Sequence, residues 1–383
     1  MLLKKVLYSL GFVAAIVPSL AANAWGTQTS GAWQTVGSMS APIADLSLVN
    51  VANGKTLAVG SMATQIFDPA TNVWSKGATT LGIMPFPTVV ALSDGRVLVT
   101  GGMGTSKIAK IFDPSLNKWT STGSMKVGRY QHTATLLQDG RVLVAGGASG
   151  SNATSAEIFS PSTGTWTLTA PMSYARPAGH SATLFANGQV LIAGGTGTAV
   201  NPAEIFNPQS GTWTATGPMT AARGGHTASL LANGRVLVAG GCGGLSYTTT
   251  ISGYGVNMSL YCRSTEIYNP ATSIWQSAQS MNLPRSAFTA TALANGKVLI
   301  AGGVTSCANV SISIVPVFKS CIATNSTETY DPSSDTWTFV NAMSVARYNH
   351  KATALPDGRV LVVGGTGNGT ASAPLTSATA YTN

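Results

Sequence analysis

The sequence runs to 383 residues, 44% hydrophobic and only 9% charged, with 43 glycines, a composition of short strands and tight turns that excludes disorder for the bulk of the chain. A formal net charge of +9 favours acidic partners modestly. The lysines and arginines form no cluster of the kind that grips a phosphate backbone, which excludes nucleic acid as the expected ligand.

In chain order, Lys4 and Lys5 precede an apolar run from Val6 to Val17, then Pro18 and the small-residue pattern Ala22-Asn23-Ala24. That arrangement predicts a secretory signal peptide over residues 1–24, with Trp25 as the mature start. The run is too short to span a bilayer as a helix. The expectation is an exported protein, periplasmic or secreted, with residues 25–383 forming one domain. Loss of the two lysines lowers the charge from +9 to +7.

From residue 31 onward the chain repeats. Asn53-Gly54, Asp94-Gly95, Asp139-Gly140, Asn187-Gly188, Asn233-Gly234, Asn295-Gly296 and Asp357-Gly358 are separated by 41, 45, 48, 46, 62 and 62 residues, which makes seven units. The dipeptides predict two-residue hairpin turns, in which both residues take positive φ. Each turn leads into an apolar strand such as "RVLVAGG", a third strand such as "AEIFNP", a proline-bearing turn and a fourth strand with a tryptophan. Every unit therefore reads as a four-stranded antiparallel meander. Trp74, Trp119, Trp166, Trp213, Trp275 and Trp337 fill the fourth strand of six units, while the seventh ends at "TAYTN" without one. The segment "GAWQTVGSM" around Trp33 matches "GTWTATGPM" around Trp213, so the N-terminal strand is expected to complete the last unit and close a ring without a free edge. The fold class is all-β, a seven-bladed β-propeller.

The glycine doublet, the strand-three aromatic and the strand-four tryptophan together resemble the kelch-repeat family of propellers over roughly residues 31 to 383. The form closest to this one is that of bacterial exported kelch proteins and the galactose oxidase propeller. The resemblance implies the fold but not one function, since members act as protein-binding modules, carbohydrate binders or copper enzymes.

In a meander, the loops from strand two to three and from four to the next one share a face. The two long steps fall in the two-to-three loops, at Gly241–Glu266 and Gly303–Glu328, and each holds two of the four cysteines. Cys242 with Cys262 and Cys307 with Cys321 are the expected local disulfides, which suit an exported protein. The loop aromatics Tyr247, Tyr254 and Tyr261 join the candidate binding surface.

Arginine stands four residues after a methionine in five units, as Arg129, Arg176, Arg223, Arg285 and Arg347, and glutamate opens strand three in four, as Glu157, Glu204, Glu266 and Glu328. The first two units have Ile43 with Gln65 and Met84 with Lys110 instead. Buried Arg–carboxylate pairs are expected. Pairing within a blade leaves Arg347 over, and pairing to the following blade leaves Arg129, so these two are candidate ligand anchors. His132, His180, His226 and His350 open the innermost strand where other units carry Leu46, Pro87 or Phe288, which predicts packing rather than a metal site.

The repeat claims every carboxylate on the loop-bearing face except Asp45, one short of the pair a glycosidase needs. Asp45, Tyr348 and His350 form a further candidate ligand cluster across the ring closure. Copper chemistry is not expected: Tyr348 is followed by Asn349 where the galactose oxidase pattern has histidine, and no cysteine stands where that family's thioether requires one. The resulting expectation is a monomeric, non-catalytic binding module without cofactor, taking a protein or glycan on the face of the 242–262 and 307–321 loops. The alternative is a carbohydrate-binding or galactose-oxidase-like carbohydrate-active propeller.

Overall fold

A computed structural model describes residues 31–43, 45–79, 82–83, 85–104, 106–147, 150–195, 202–241, 245–251, 254–312, 315–368 and 374–383. For residues 151, 202, 245–251, 254–260, 308–312 and 315–320 the description is of the backbone alone. Seven four-stranded antiparallel sheets form the blades of a propeller. Blade one is Ser47–Asn50, Thr56–Val59, Thr64–Asp68 and Val73–Lys76, from the axis outward. The same order recurs to blade seven, where Lys351–Ala354, Val360–Val363 and Ala378–Thr382 are completed by Ala32–Val36. Trp33 lies opposite Tyr381 in that closing pair, so the predicted join is present.

The second strand of each blade is the most deeply buried, as in Val142–Ala145 and Val298–Ala301. Its uninterrupted apolar run follows from that position, because neighbouring blades cover both of its faces. Apolar layers fill the spaces between blades. Between blades seven and one the layer includes Val36, Met39, Leu46, Phe67, Leu361 and Val363. Each strand-three aromatic stands opposite its strand-four tryptophan, with ring centroids 4.9 Å apart in Phe159–Trp166 and 5.2 Å in Trp33–Tyr381. Several indoles also reach the preceding blade: Trp166 Nε1 donates to Gly123 O at 2.7 Å and Trp337 Nε1 to Gln279 O at 2.7 Å.

The hairpin turns differ from expectation. Gly54 has φ +79° but Asn53 is not left-handed, and Val51 pairs with Lys55 across a three-residue loop. The loop is a type I turn closed by a left-handed glycine rather than a two-residue turn. The physical reason is the side chain: Asn53 Oδ1 accepts from Lys55 N, and Asp94 Oδ1 from Arg96 N, which ties the Asn or Asp to the residue two places on.

A second finding is an eighth sheet. The insertion of blade five forms Leu245–Ile251 and Tyr254–Leu260, that of blade six forms Val304–Ile312 and Val315–Ala323, and the four strands join edge to edge. Tyr254–Leu260 pairs with Val304–Ile312, with Ser259 opposite Cys307. The insertions are one structure, not two separate loops.

Candidate functional site

The Arg–Glu series resolves into a repeated corner. Arg129 pairs with Glu157 at 3.1 Å, Arg176 with Glu204 at 3.0 Å, Arg223 with Glu266 at 2.9 Å and Arg285 with Glu328 at 2.8 Å, all within one blade and out of contact with solvent. Each glutamate also accepts the two backbone N–H groups that follow the methionine. For Glu157 these are Lys126 N at 2.6 Å and Val127 N at 3.0 Å. The guanidinium closes the corner from below, with Arg129 Nη1 donating to Gly146 O and Ser155 O and Nη2 to Ser155 Oγ. A buried charge is tolerated where opposite charge and hydrogen bonds surround it, and the corner supplies both four times. Blade one solves the same problem without charge. Gln65 Oε1 accepts from Ser40 N, its Nε2 donates to Ala41 O, and the apolar Ile43 stands in the arginine position.

The histidines tie neighbouring blades. His132 Nε2 shares a hydrogen bond with Thr100 Oγ1 at 2.8 Å, His226 with Ser181 Oγ at 2.8 Å and His350 with Thr289 Oγ1 at 3.0 Å, while His180 Nε2 donates to Ala145 O at 3.0 Å. Burial is the first cause that pushes their pKa down, to about 3 for His132, His226 and His350 and about 4 for His180. Leu46 and Phe288 are buried at the same position in other blades. The glycine doublet belongs to this joint: a Cβ on Gly101 would stand 2.5 Å from Arg129 O and 2.6 Å from the His132 ring.

Arg129 is thus fully engaged inside its blade, and Arg347 is the one left over. Arg347 is buried; Nη1 donates to Gly364 O and Ser377 O at 2.9 Å and Nη2 to Ser377 Oγ at 2.8 Å, but Nε has no acceptor. Burial pushes its pKa down to about 10. Asp45 turns away from blade seven, its Oδ2 accepting from Ser61 N at 2.7 Å and Phe86 N at 3.2 Å, so its bonds go to neither Tyr348 nor His350.

On the loop-bearing face, burial first and the Tyr348 phenol second push the Tyr261 pKa up. The Tyr261 hydroxyl donates to Cys307 Sγ at 3.3 Å. Cys307 and Cys321 form a disulfide across the blade-six hairpin, as expected. Cys262 is disulfide-bonded as well, and Cys242 lies outside the described residues. Tyr247 and Tyr254 fall on the inserted sheet, opposite Met258 and Ile251 in register, where the backbone alone is described.

Sequence reasoning missed an apolar patch on the same face over blades one and two. Met62 is 84% exposed, and Phe86 and Met103 are each 45% exposed. Asp45 holds the backbone on two sides of this patch, and Met103 N donates to Pro85 O. Phe86 packs edge-on against Tyr130 at 6.2 Å. The signal available was the single free carboxylate, read as a ligand group when its bonds go to loop backbone.

The sequence pattern of the KLHDC2/KLHL20/DRC7 Kelch-repeats domain matches residues 131–365. No curated protein matches significantly. Among solved structures, the chain is similar to a novel fungal alcohol oxidase "with catalytic diversity among the AA5 family, in complex with copper", at 17% identity and a TM-score of 0.66, over 93% of this chain and 76% of that one. It is similar to YjhT at 15% identity and a TM-score of 0.53, over 76% of this chain and 93% of that one. At such identities the likeness is one of fold. His350 is 2% exposed with Nε2 bonded to Thr289, and among the described residues no three His, Cys, Asp or Glu side chains converge.

Proposed function

The chain belongs to the kelch-repeat family of β-propellers, and from that premise we propose that it is a non-catalytic binding module whose loop-bearing face holds a protein partner. The observation that carries this reading is the eighth sheet, which stands on the face that also exposes Met62, Phe86 and Met103. Exposed apolar side chains grouped on one surface, beside a sheet that no blade requires, suit a protein contact better than a small-molecule site. Residues 1–24 act as the export signal in this reading and 25–383 as the exported domain. The disulfides support that assignment, and no helix among the described residues is long and apolar enough to cross a membrane.

The test is site-specific photocrosslinking in the exported fraction. A crosslinker at Met62 or Met103 is expected to give a discrete adduct, and one at Leu116, in a turn on the opposite face, none. Equal adducts from both faces would sink the assignment. A second reading, a glycan on the same face, draws on the aromatic side chains of Tyr261 and Tyr348, which interact electrostatically. A dose-dependent rise in melting temperature with a neutral or acidic sugar, lost in Tyr348→Ala, would favour it over a protein partner.

A further inference from the structure

Blade seven has the repeated corner with one part changed. Thr379 occupies the strand-three position of Glu157, Glu204, Glu266 and Glu328, opposite Val362 as Glu157 is opposite Val144. Everything else is in place: the buried methionine Met343, the arginine, and the carbonyls of Gly364 and Ser377 in the roles of Gly146 and Ser155. No glutamate side chain enters this corner, Arg347 has no carboxylate counterion among the described residues, and Arg347 Nε and Thr379 Oγ1 are buried without partners. In blade three the corresponding Nε donates to Glu157 Oε1 at 3.3 Å. Ser344 N and Val345 N, the counterparts of Lys126 N and Val127 N, likewise find no acceptor among the described residues. A guanidinium stays charged at any physiological pH, so Arg347 is a buried cation whose four siblings all have a counterion. Blade one shows how the chain removes this need: without a carboxylate it has isoleucine in place of arginine.

We propose that this corner of blade seven binds a formate-sized carboxylate, held by Arg347 Nε and the backbone N–H groups of Ser344 and Val345. The size follows from the side chains. Glutamate carries a carboxyl group of three heavy atoms beyond the branch that threonine fills, and formate has three. The methyl group of acetate would run into the Thr379 branch. Bidentate acceptance from two successive N–H groups and a guanidinium suits a planar carboxylate better than a spherical halide. The corner lies one layer deep, with Ser344 exposed and Val345 and Ala346 half-buried above it. This inference does not depend on which face holds a partner.

The experiment follows thermal unfolding of the intact chain in formate, acetate and chloride at one ionic strength. Formate is expected to raise the wild-type melting temperature saturably, by at least about 2 °C, acetate less and chloride not at all. Thr379→Glu, which supplies the carboxylate covalently, is expected to melt higher than wild type without formate and to ignore it. Arg347→Ile with Thr379→Gln, which copies blade one, should fold and also ignore formate. No formate-specific rise in wild type, an equal rise with chloride, or the same formate response in either variant would overturn the proposal. Should Thr379→Glu not fold, the wild-type ion series and the double variant still decide it.

Discussion

At the residue scale, the chain carries its own controls, because one corner is described in six blades with different residues. Glu328→Gln is expected to cost about 3 kcal/mol or more, since it strands the buried Arg285 charge, with the loss read as a lower urea midpoint. Adding Arg285→Ile should recover most of that loss, because Ile43 with Gln65 is the combination blade one already uses. A double variant less stable than the single one would show that blade one is not a transferable solution. The histidines make a pH prediction. Their folded pKa values lie below the unfolded value near 6.5, so between those limits the unfolded chain binds more protons. Stability should be flat above about pH 6.5 and fall as pH drops from there toward 3, by up to about 1.4 kcal/mol per pH unit for each histidine. His350→Phe, which repeats the choice made at Phe288, should flatten the slope. Much of this was legible in the sequence, since recurrence alone marked arginine and histidine as parts of a building block. The partner of each arginine was not, because the glutamate 28 or 43 residues later in the same blade and the glutamate 19 residues earlier in the preceding blade both fall on the same face, and spacing alone does not say which is near in space. Only the backbone separates them and singles out Arg347.

At the element scale, the turn dipeptides located the first hairpin of every blade correctly yet misstated its geometry, since Asn and Asp serve both as left-handed residues and as side-chain caps, and here they cap. The eighth sheet was illegible for a different reason: its central pair joins strands of two insertions, and no turn links Tyr254–Leu260 to Val304–Ile312. The disulfide between Cys307 and Cys321 closes a hairpin of sequence separation 14, a loop for which the chain-entropy account gives about 3 kcal/mol. That stabilisation belongs to the inserted sheet. Cys307→Ser with Cys321→Ser is therefore expected to raise amide exchange across 304–323 while the propeller's main transition moves little. A comparable fall in both would mean that the insertions are part of the blade core.

At the scale of the whole molecule, the propeller holds because blade seven is built from both ends of the described chain. Ala32–Val36 adds to Ala378–Thr382, and the innermost strands of blades seven and one meet through Asn50 Nδ2, which donates to Ala354 O. Trp33→Ala should therefore destabilise by about 2 kcal/mol or more and sharpen the dependence on Ala378–Thr382, whereas the same change at Trp213 leaves ring closure intact. Ring closure was legible because seven turns and six repeat-borne tryptophans did not match until Trp33 was counted.

The pairing of Ala32–Val36 with Ala378–Thr382 also sets an order of events. During synthesis, the earlier strand waits unpaired while the other six blades are made, and its partner appears only after them. A chain stopped between Val363 and Ala378 thus carries a sheet that lacks its third strand, with an open hydrogen-bonding edge on Val360–Val363 where a stray strand can add. A fragment truncated before Ala378 keeps six sound blades and still cannot finish the seventh, so quality control that senses open edges would reject it whatever the state of the rest.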